Sequence, residues 1–476
     1  MEKTWGLKAL QSLFGDTEDL VVRTLRVNGT ELTLLFLDGL TSGGEIAENV
    51  IRPLVRDGAP ASEAEIYDAA LHGAVYCASV QTGDTPQQTA QALLTGHAAL
   101  LFPALGKALC FEVKSSQVRG PEAPDVENTV KGARDAFTET LRINTGLIRR
   151  HLRTAELRFV QRSVGKRSGT SVAVCYLEGL SNPEMVHRLL KRLEKIEIDG
   201  LLSPASVEEY VTGSRRTAFP LLQYTQRTDR FCQELLGGQI GLLVDGLPLG
   251  YLLPVTLAEL MRAQEDRAMD YVSASCVRLL RYAALALALL LPGFYAALAG
   301  FHPEMIPTKL LLAIIESKQE VPFPTILELL GLLAAFELLQ EAGLHLPQAI
   351  GMTVSIIGGL VVGTAAVDAR LVSPAALIVA ASSGICGFTL PSRDLSNAVR
   401  VWRFALTAMA GIAGLLGLCA GAVLLLIHLS GLESLGCAYL APFSQAEAAS
   451  ALLRPRLKER KFRNPILRPQ DMKNQR

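Results

Sequence analysis

Leu34-Leu-Phe-Leu-Asp-Gly-Leu40 and Val174-Cys-Tyr-Leu-Glu-Gly-Leu180 stand 140 positions apart, and each runs on into an amphipathic stretch, to Ile51 and to Leu190. A short apolar run closed by Asp-Gly or Glu-Gly reads as a strand entering a turn, because glycine accepts positive φ without a side-chain clash. A second pair follows at an offset of 142: Leu93-Leu-Thr-Gly96 with Leu100-Leu101, against Leu235-Leu-Gly-Gly238 with Leu242-Leu243. Each copy then passes a glycine turn, Leu105-Gly-Lys107 or Asp245-Gly-Leu-Pro248, into another apolar strand. Two matches at nearly one offset argue for a duplication rather than chance. The expectation is two related α/β subdomains, at 27–120 and 165–277, each a small sheet with covering helices.

Between the copies, 121–164 reads as a basic helical connector. Arg149, Arg150, Arg153, Arg158 and Arg162, with Lys166 and Arg167 just beyond, face Glu156 as their only acid. Such a run suits an anionic partner, nucleic acid or lipid, or equally a solvated or partner-facing surface. No nucleic-acid-binding motif accompanies the charges, so no nucleic acid is expected.

Outward from this half the composition changes. The chain has 476 residues with 46 Lys+Arg and 46 Asp+Glu, 19% charged and 49% hydrophobic, against about 25% charged in an ordinary soluble protein. That excludes a disordered chain and a wholly basic nucleic-acid binder. Residues 1–281 carry 31 basic and 34 acidic residues, 282–446 only six and nine, and the last thirty nine and three. The order is an N-terminal extension (1–26), the α/β region, an all-α helical transmembrane domain (278–446) and a basic C-terminal tail (447–476). The eight cysteines form no CxxC pair and mostly sit in apolar runs, as small buried hydrophobes in a reduced compartment do. The opening Met1-Glu-Lys-Thr-Trp-Gly6 lacks the pattern of a secretory signal, which points the N-terminal half to the cytosol.

Crossing about 30 Å of hydrocarbon takes about 20 apolar residues as helix. Four uncharged segments qualify: Tyr282–Phe301, Ala349–Val367, Leu371–Ser392 and Phe404–Ile427. A fifth, Pro324–Gly343, is introduced by Pro322-Phe-Pro324 and is apolar except for Glu328, Glu337, Gln340 and Glu341. An ionisable group at membrane depth is costly, so it faces a partner or a water-filled path and is a functional candidate by default. Glu337 and Glu341 share a helix face, whereas Glu328 lies about 180° round. All three therefore cannot line one pore, and an interfacial or hydrogen-bonded role stays open beside it.

Small residues mark close helix approach. Gly359 and Gly363 form a GxxxG, and Gly411, Gly414, Gly417 and Gly421 recur so as to keep one face small. Asp368 and Arg370 read as a polar turn. Orientation conflicts: the basic residues before Tyr282, the loop with Arg393, Arg400 and Arg403, and the tail all call for the cytosolic side. One span at 404–427 cannot join the last two unless it bends or 430–446 also crosses, which leaves four to six crossings.

The second half resembles the GerA family of spore germination proteins, which includes the A subunits of nutrient germinant receptors and the stage V sporulation AF-type proteins. The residues that carry this are Val321-Pro-Phe-Pro324, Phe336-Glu-Leu-Leu-Gln-Glu-Ala-Gly343, Leu346-Pro347, Ile350-Gly351, Gly363-Thr-Ala-Ala-Val-Asp-Ala369 and Leu371-Val-Ser-Pro374. Ser434-Leu-Gly436 and Ala438-Tyr-Leu-Ala-Pro-Phe443 follow. The first half is similar too, through Lys131-Gly-Ala-Arg-Asp-Ala-Phe-Thr-Glu139, Asn144, Leu147-Ile-Arg-Arg150 and Val244-Asp-Gly-Leu-Pro248. Departures are Lys131-Gly-Ala133 where the family has Arg-Gly-Pro, Thr225-Gln-Arg-Thr-Asp229 where it favours Thr-Glu-Arg-Pro-Asp, Gln340 and His345 where it has Arg, and Ala438 where it has Pro.

The resemblance implies a multi-pass protein of the spore inner membrane, surrounded by lipid, with a cytosolic N-terminal domain. It implies homo-oligomers and work beside B and C receptor subunits. It also implies a cation path opened in germination, with Glu337 and Glu341 placed ahead of Glu328. A non-conducting scaffold and a solute transporter remain as alternatives. The chain offers no Ser/His/Asp order, HExxH, P-loop or GxGxxG motif, and its seven histidines are scattered. It is read as a non-enzyme with no catalytic residue, no cofactor and no metal site.

Overall fold

The computed structural model describes residues 6–55, 61–114, 132–213, 216–345, 363–443, 451–456, 458 and 461–474. The chain divides into two compact units. One holds Met1–Arg215, Leu222–Pro254 and Lys458–Arg476, the other Arg216–Leu221 and Val255–Leu457.

The first unit contains two five-stranded antiparallel sheets. Strands β1 (Leu20–Val27), β2 (Thr30–Leu37), β3 (Val80–Gly83), β4 (His97–Phe102) and β5 (Lys107–Glu112) are ordered β1-β2-β4-β5-β3. Strands β6 (Leu157–Val164), β7 (Thr170–Leu177), β8 (Gln223–Thr225), β9 (Ile240–Val244) and β10 (Gly250–Leu253) are ordered β6-β7-β9-β10-β8. The quoted runs end on β2 and β7. β2 alternates apolar residues to both faces. Leu32 and Leu34 enter a core with Ile46, Val50 and Phe111, and Leu35 and Leu37 enter another with Leu10, Phe14 and Leu93.

Each first strand lies outside the range assigned to its copy: β1 falls in 1–26 except for Val27, and β6 falls in 121–164. Both are edge strands rich in arginine, which hides their alternation. The signal for β1 was present in Asn28-Gly29, whose φ values of 50° and 86° make the two-residue hairpin joining it to β2. Arg158 and Arg162 therefore stand on a strand, and the connector helix runs only from Leu141 to His151. These charges have internal partners. Arg149 is fully buried against Asp19, Arg158 pairs with Glu178, and Arg162 lies 3.7 Å from Glu18.

The segment before that helix is held to the strand–helix corner at Arg227. Phe137 N–H donates to the Gln226 carbonyl at 2.8 Å, and Arg227 donates to the Ala133 carbonyl at 2.8 Å. Thr228 Oγ1 donates to Asp135 Oδ2 at 2.7 Å, and His151 Nε2 lies 2.6 Å from the same oxygen. The bond from His151 holds the Asp135 carboxyl down to about 2 and raises the His151 imidazole in turn.

The second unit is helical. Tyr271–Phe301 is capped by Asp270, which accepts the Val272 and Ser273 N–H groups. Thr308–Lys318, Thr325–His345, Pro374–Phe388 and Arg393–Ser430 follow. Tyr271–Phe301 and Arg393–Ser430 are long and apolar enough to cross a membrane. Of the uncharged segment 371–392 only Pro374–Phe388 is helical, because Ser373 caps its start and Pro391 follows its end. Ala349–Val367 lies outside the described residues except for 363–367.

Arg393–Ser430 is not one rod. Helical geometry breaks at Ala413 (φ −128°, ψ 19°) and Gly414 (φ 59°, ψ −141°). Beyond the break the chain runs back along itself, and the ring centroids of Trp402 and His428 are 5.5 Å apart. A straight helix would separate those residues by about 39 Å. A Cβ on Gly417 would meet the Met409 carbonyl oxygen at 2.1 Å, and one on Gly421 would meet Leu406 at 2.7 Å. The glycine run thus serves a helical hairpin, with Gly414 at its tip, rather than one small face of a single helix. A bend here is one of the two resolutions open for the conflicting basic flanks, the other being a crossing at 430–446.

Candidate functional site

Thr325–His345 brings its three glutamates to different surroundings. Glu328 sits in the first turn and is 2% exposed. Its Oε1 accepts the Ser373 N–H at the start of Pro374–Phe388, and its Oε2 is buried without a hydrogen-bond partner among the described residues. Glu337 lies nine residues on and faces the first arm of the hairpin. Its Oε1 accepts from Arg403 Nη2 at 2.5 Å, and its Oε2 lies 3.3 Å from Arg400 Nη1. Glu341, one turn further, is exposed. The structure therefore separates Glu328 from the other two, as the helical period requires.

Arg403 is the centre of this arrangement. Its side chain is 3% exposed. Besides Glu337, it reaches Ser383 Oγ at 3.3 Å, and that hydroxyl donates to the Ala288 carbonyl at 2.9 Å. One polar chain thus links Thr325–His345, the hairpin, Pro374–Phe388 and Tyr271–Phe301. A small cleft beside it is lined by Gln340, Gly384, Phe388, Ser396, Arg400 and Arg403. Among the described residues, the Gln340 Oε1 is buried there without a hydrogen-bond partner.

Sequence reasoning weighed Arg400 and Arg403 only as topology charges. Their spacing of three, on one helical face just before an uncharged run, was the available signal. An arginine stays charged when buried, so it needs a carboxylate. Glu337, with Glu328 and Glu341, was one of three available in the fifth segment.

The small residues are placed as follows. Gly411 lies against Ile326, where a Cβ would approach to 2.3 Å. Gly414 lies against Phe301 and His302, and Gly417 and Gly421 face the opposite arm. Gly363 makes only an ordinary approach to Leu377, and Gly359 lies outside the described residues. Beyond the hairpin, Ser434 donates to the Leu221 carbonyl and accepts the Val255 N–H, and Tyr439 is fully buried.

An uncharacterized membrane protein of Bacillus subtilis (strain 168), YfkQ, is 34% identical over 94% of this chain and 88% of its own length. Spore germination protein XA of Bacillus anthracis is 34% identical over 79% and 76%. Spore germination protein B1 of Bacillus subtilis (strain 168) is 32% identical over 92% and 90%. The crystal structure of the N-terminal domain of the A subunit of the Bacillus megaterium spore germinant receptor GerK3 covers 52% of this chain and 91% of that one, at 24% identity and a TM-score of 0.39. The family model described as Bacillus/Clostridium GerA spore germination protein matches residues 8–468, and this chain belongs to that family.

Proposed function

We propose that this chain is a membrane subunit of a spore germination receptor complex, seated in the spore inner membrane with its α/β region cytosolic. In this reading it oligomerises, works with B- and C-type subunits, and conducts cations when a nutrient germinant is sensed. The relatives' names support the germination role. Membrane seating is supported by the two apolar helices, of whose most apolar windows only 39% and 33% are buried. The two sheets with one strand order support the reading of two related subdomains.

The observation that carries the path assignment is the Glu337–Arg403 pair, held among apolar helices. A carboxylate at such depth attracts cations, and an arginine on it cancels that attraction. The arrangement then represents a closed path, with Glu337 neutralised, Glu341 beside it and Glu328 apart. The same pairing also favours a second reading, a non-conducting scaffold in which Glu337 and Arg403 only hold helices together.

Potassium efflux from a non-sporulating host separates the two, with the chain expressed alone and then with partner subunits, at matched membrane levels. Conduction predicts that Glu337→Gln abolishes efflux and that E337M/R403M inserts and assembles normally yet conducts nothing. If efflux is absent with every partner combination, or is unchanged in Glu337→Gln, the path assignment fails.

A further inference from the structure

We propose that the entry to the helix Tyr271–Phe301 is a binding site for a phosphate-bearing anion, formed by Arg262, Arg278 and Tyr282 and suited to the headgroup of an anionic phospholipid. Asp266 is 1% exposed, and its carboxylate is already engaged. Arg281 Nη1 reaches its two oxygens at 2.7 and 2.8 Å, Arg278 Nη2 lies 3.5 Å from one of them, and the Ala263 N–H donates to the same one at 3.3 Å. Arg278 is 5% exposed and Arg281 8%. Arg262 stands close enough to act electrostatically on both Arg278 and Tyr282. Among the described residues, the two guanidinium groups of Arg278 and Arg281 thus share the Asp266 carboxylate, a local excess of one positive charge, with the Arg262 guanidinium nearby. Arg454, from the tail side, is turned to the backbone carbonyls of Asp266, Arg267 and Met269.

The donors are incomplete as well as the charge. Among the described residues, the Nε of Arg262, the Nε of Arg278 and the hydroxyl of Tyr282 are all buried without a hydrogen-bond partner. Arg278 and Tyr282 are four apart and share a helix face. Two buried guanidinium groups on one carboxylate leave a positive charge uncompensated, and unmade hydrogen bonds add to that cost. A phosphate group answers both deficits, since it carries the missing negative charge and offers several acceptor oxygens to guanidinium N–H groups.

The position indicates the source. Arg281 is the last charge before the uncharged run Tyr282–Phe301. Exposed Tyr271, Val272, Leu279 and Leu280 surround the same turns. In the membrane reading, on which the choice of a lipid rests, this is headgroup level, where basic residues meet anionic lipid.

The test uses the full chain, purified and delipidated in a neutral detergent. Its thermal unfolding is followed while dioleoylphosphatidylglycerol, dioleoylphosphatidylcholine or inorganic phosphate is added. Phosphatidylglycerol is expected to protect at a concentration about tenfold below phosphatidylcholine, and Arg262→Gln to remove that preference, as loss of one charge-assisted bond implies. Arg262→Gln leaves the Asp266–Arg281 pair in place, and with no anion added it is expected to unfold at a higher temperature than the wild type. Tyr282→Phe, which keeps the ring, gives a smaller loss of protection. Protection by inorganic phosphate as well, lost in Arg262→Gln, supports the anion site and assigns it to free phosphate. Equal response to all three additives, or a phosphatidylglycerol preference that survives both substitutions, overturns the proposal. Flotation of the chain with phosphatidylcholine vesicles tests the membrane reading separately.

Discussion

Asp19 and Arg149 pair at 2.7 Å with neither side chain more than 3% exposed, although 130 positions separate them. Asp19 immediately precedes β1, and Arg149 lies on the helix that leads to β6. Arg149 also donates to the Leu157 and Thr154 carbonyls, and Thr17 Oγ1 accepts the Phe159 N–H. The pair therefore ties the edge of one sheet to the edge of the other. Asp19→Ala strands a buried guanidinium and is expected to cost about 3–5 kcal/mol. Denaturant unfolding of the full chain in micelles measures this, and hydrogen exchange should rise first at Thr17–Leu20 and Leu157–Phe159. Unchanged stability would show that the pair closes nothing.

The hairpin predicts that glycine positions differ sharply in tolerance. At Gly417 a methyl group would sit 2.1 Å from a backbone oxygen, whereas at Gly331 nothing lies within 4 Å. Gly417→Ala is expected to destabilise by about 1–3 kcal/mol. Gly331→Ala is expected to be neutral or to stabilise by up to about 1 kcal/mol. Equal melting shifts for the two variants would contradict the close approach of the arms.

The same hairpin sets a labelling pattern. In a chain whose native cysteines are replaced, single cysteines at Ser392 and at Gly431 are expected to react with an impermeant maleimide from the same face of sealed vesicles. A straight span between them would give opposite faces.

The clasp of Asp135, His151 and Thr228 gives a pH dependence of known sign. The Asp135 carboxyl is depressed, so its contribution is present above the unfolded value of about 3.9 and fades as pH falls toward about 2. The His151 imidazole is raised, so its contribution is full below about 6.5 and is lost as pH rises through its folded value. The clasp is therefore strongest between about pH 4 and 6.5. Asp135→Asn should lower the stability of the α/β unit inside that window and flatten its pH dependence on either side, as read from melting temperatures at stepped pH.

Legibility followed the physics of each element. β2, β7, β4 and β9 each hold a run of consecutive apolar residues with glycine close by, and such runs announce themselves. β1 and β6 carry Arg23, Arg26, Arg158 and Arg162 on sheet edges, where charge is tolerated, so their alternation is obscured. In the second unit, absence of charge marked the apolar segments but not their shape. Leu371–Ser392 shrank to a shorter helix because capping and proline are local signals. The fold at Gly414 left no local sign, because a glycine in a run of glycines reads as packing. Glu337 was legible as an anomaly, whereas its partner Arg403 was not, since pairing across helices is a property of the assembled fold.

The tail has a consequence for the whole path of the chain. Lys458–Arg476 belongs to the first unit, where Arg463 donates to the Leu236 carbonyl and the Gln470 N–H to the Leu180 carbonyl. The apolar unit is therefore an insertion: the chain departs near Pro254 and returns near Lys458 to the body it left. In the membrane reading proposed above, a chain that departs from one body and returns to it must make an even number of passages.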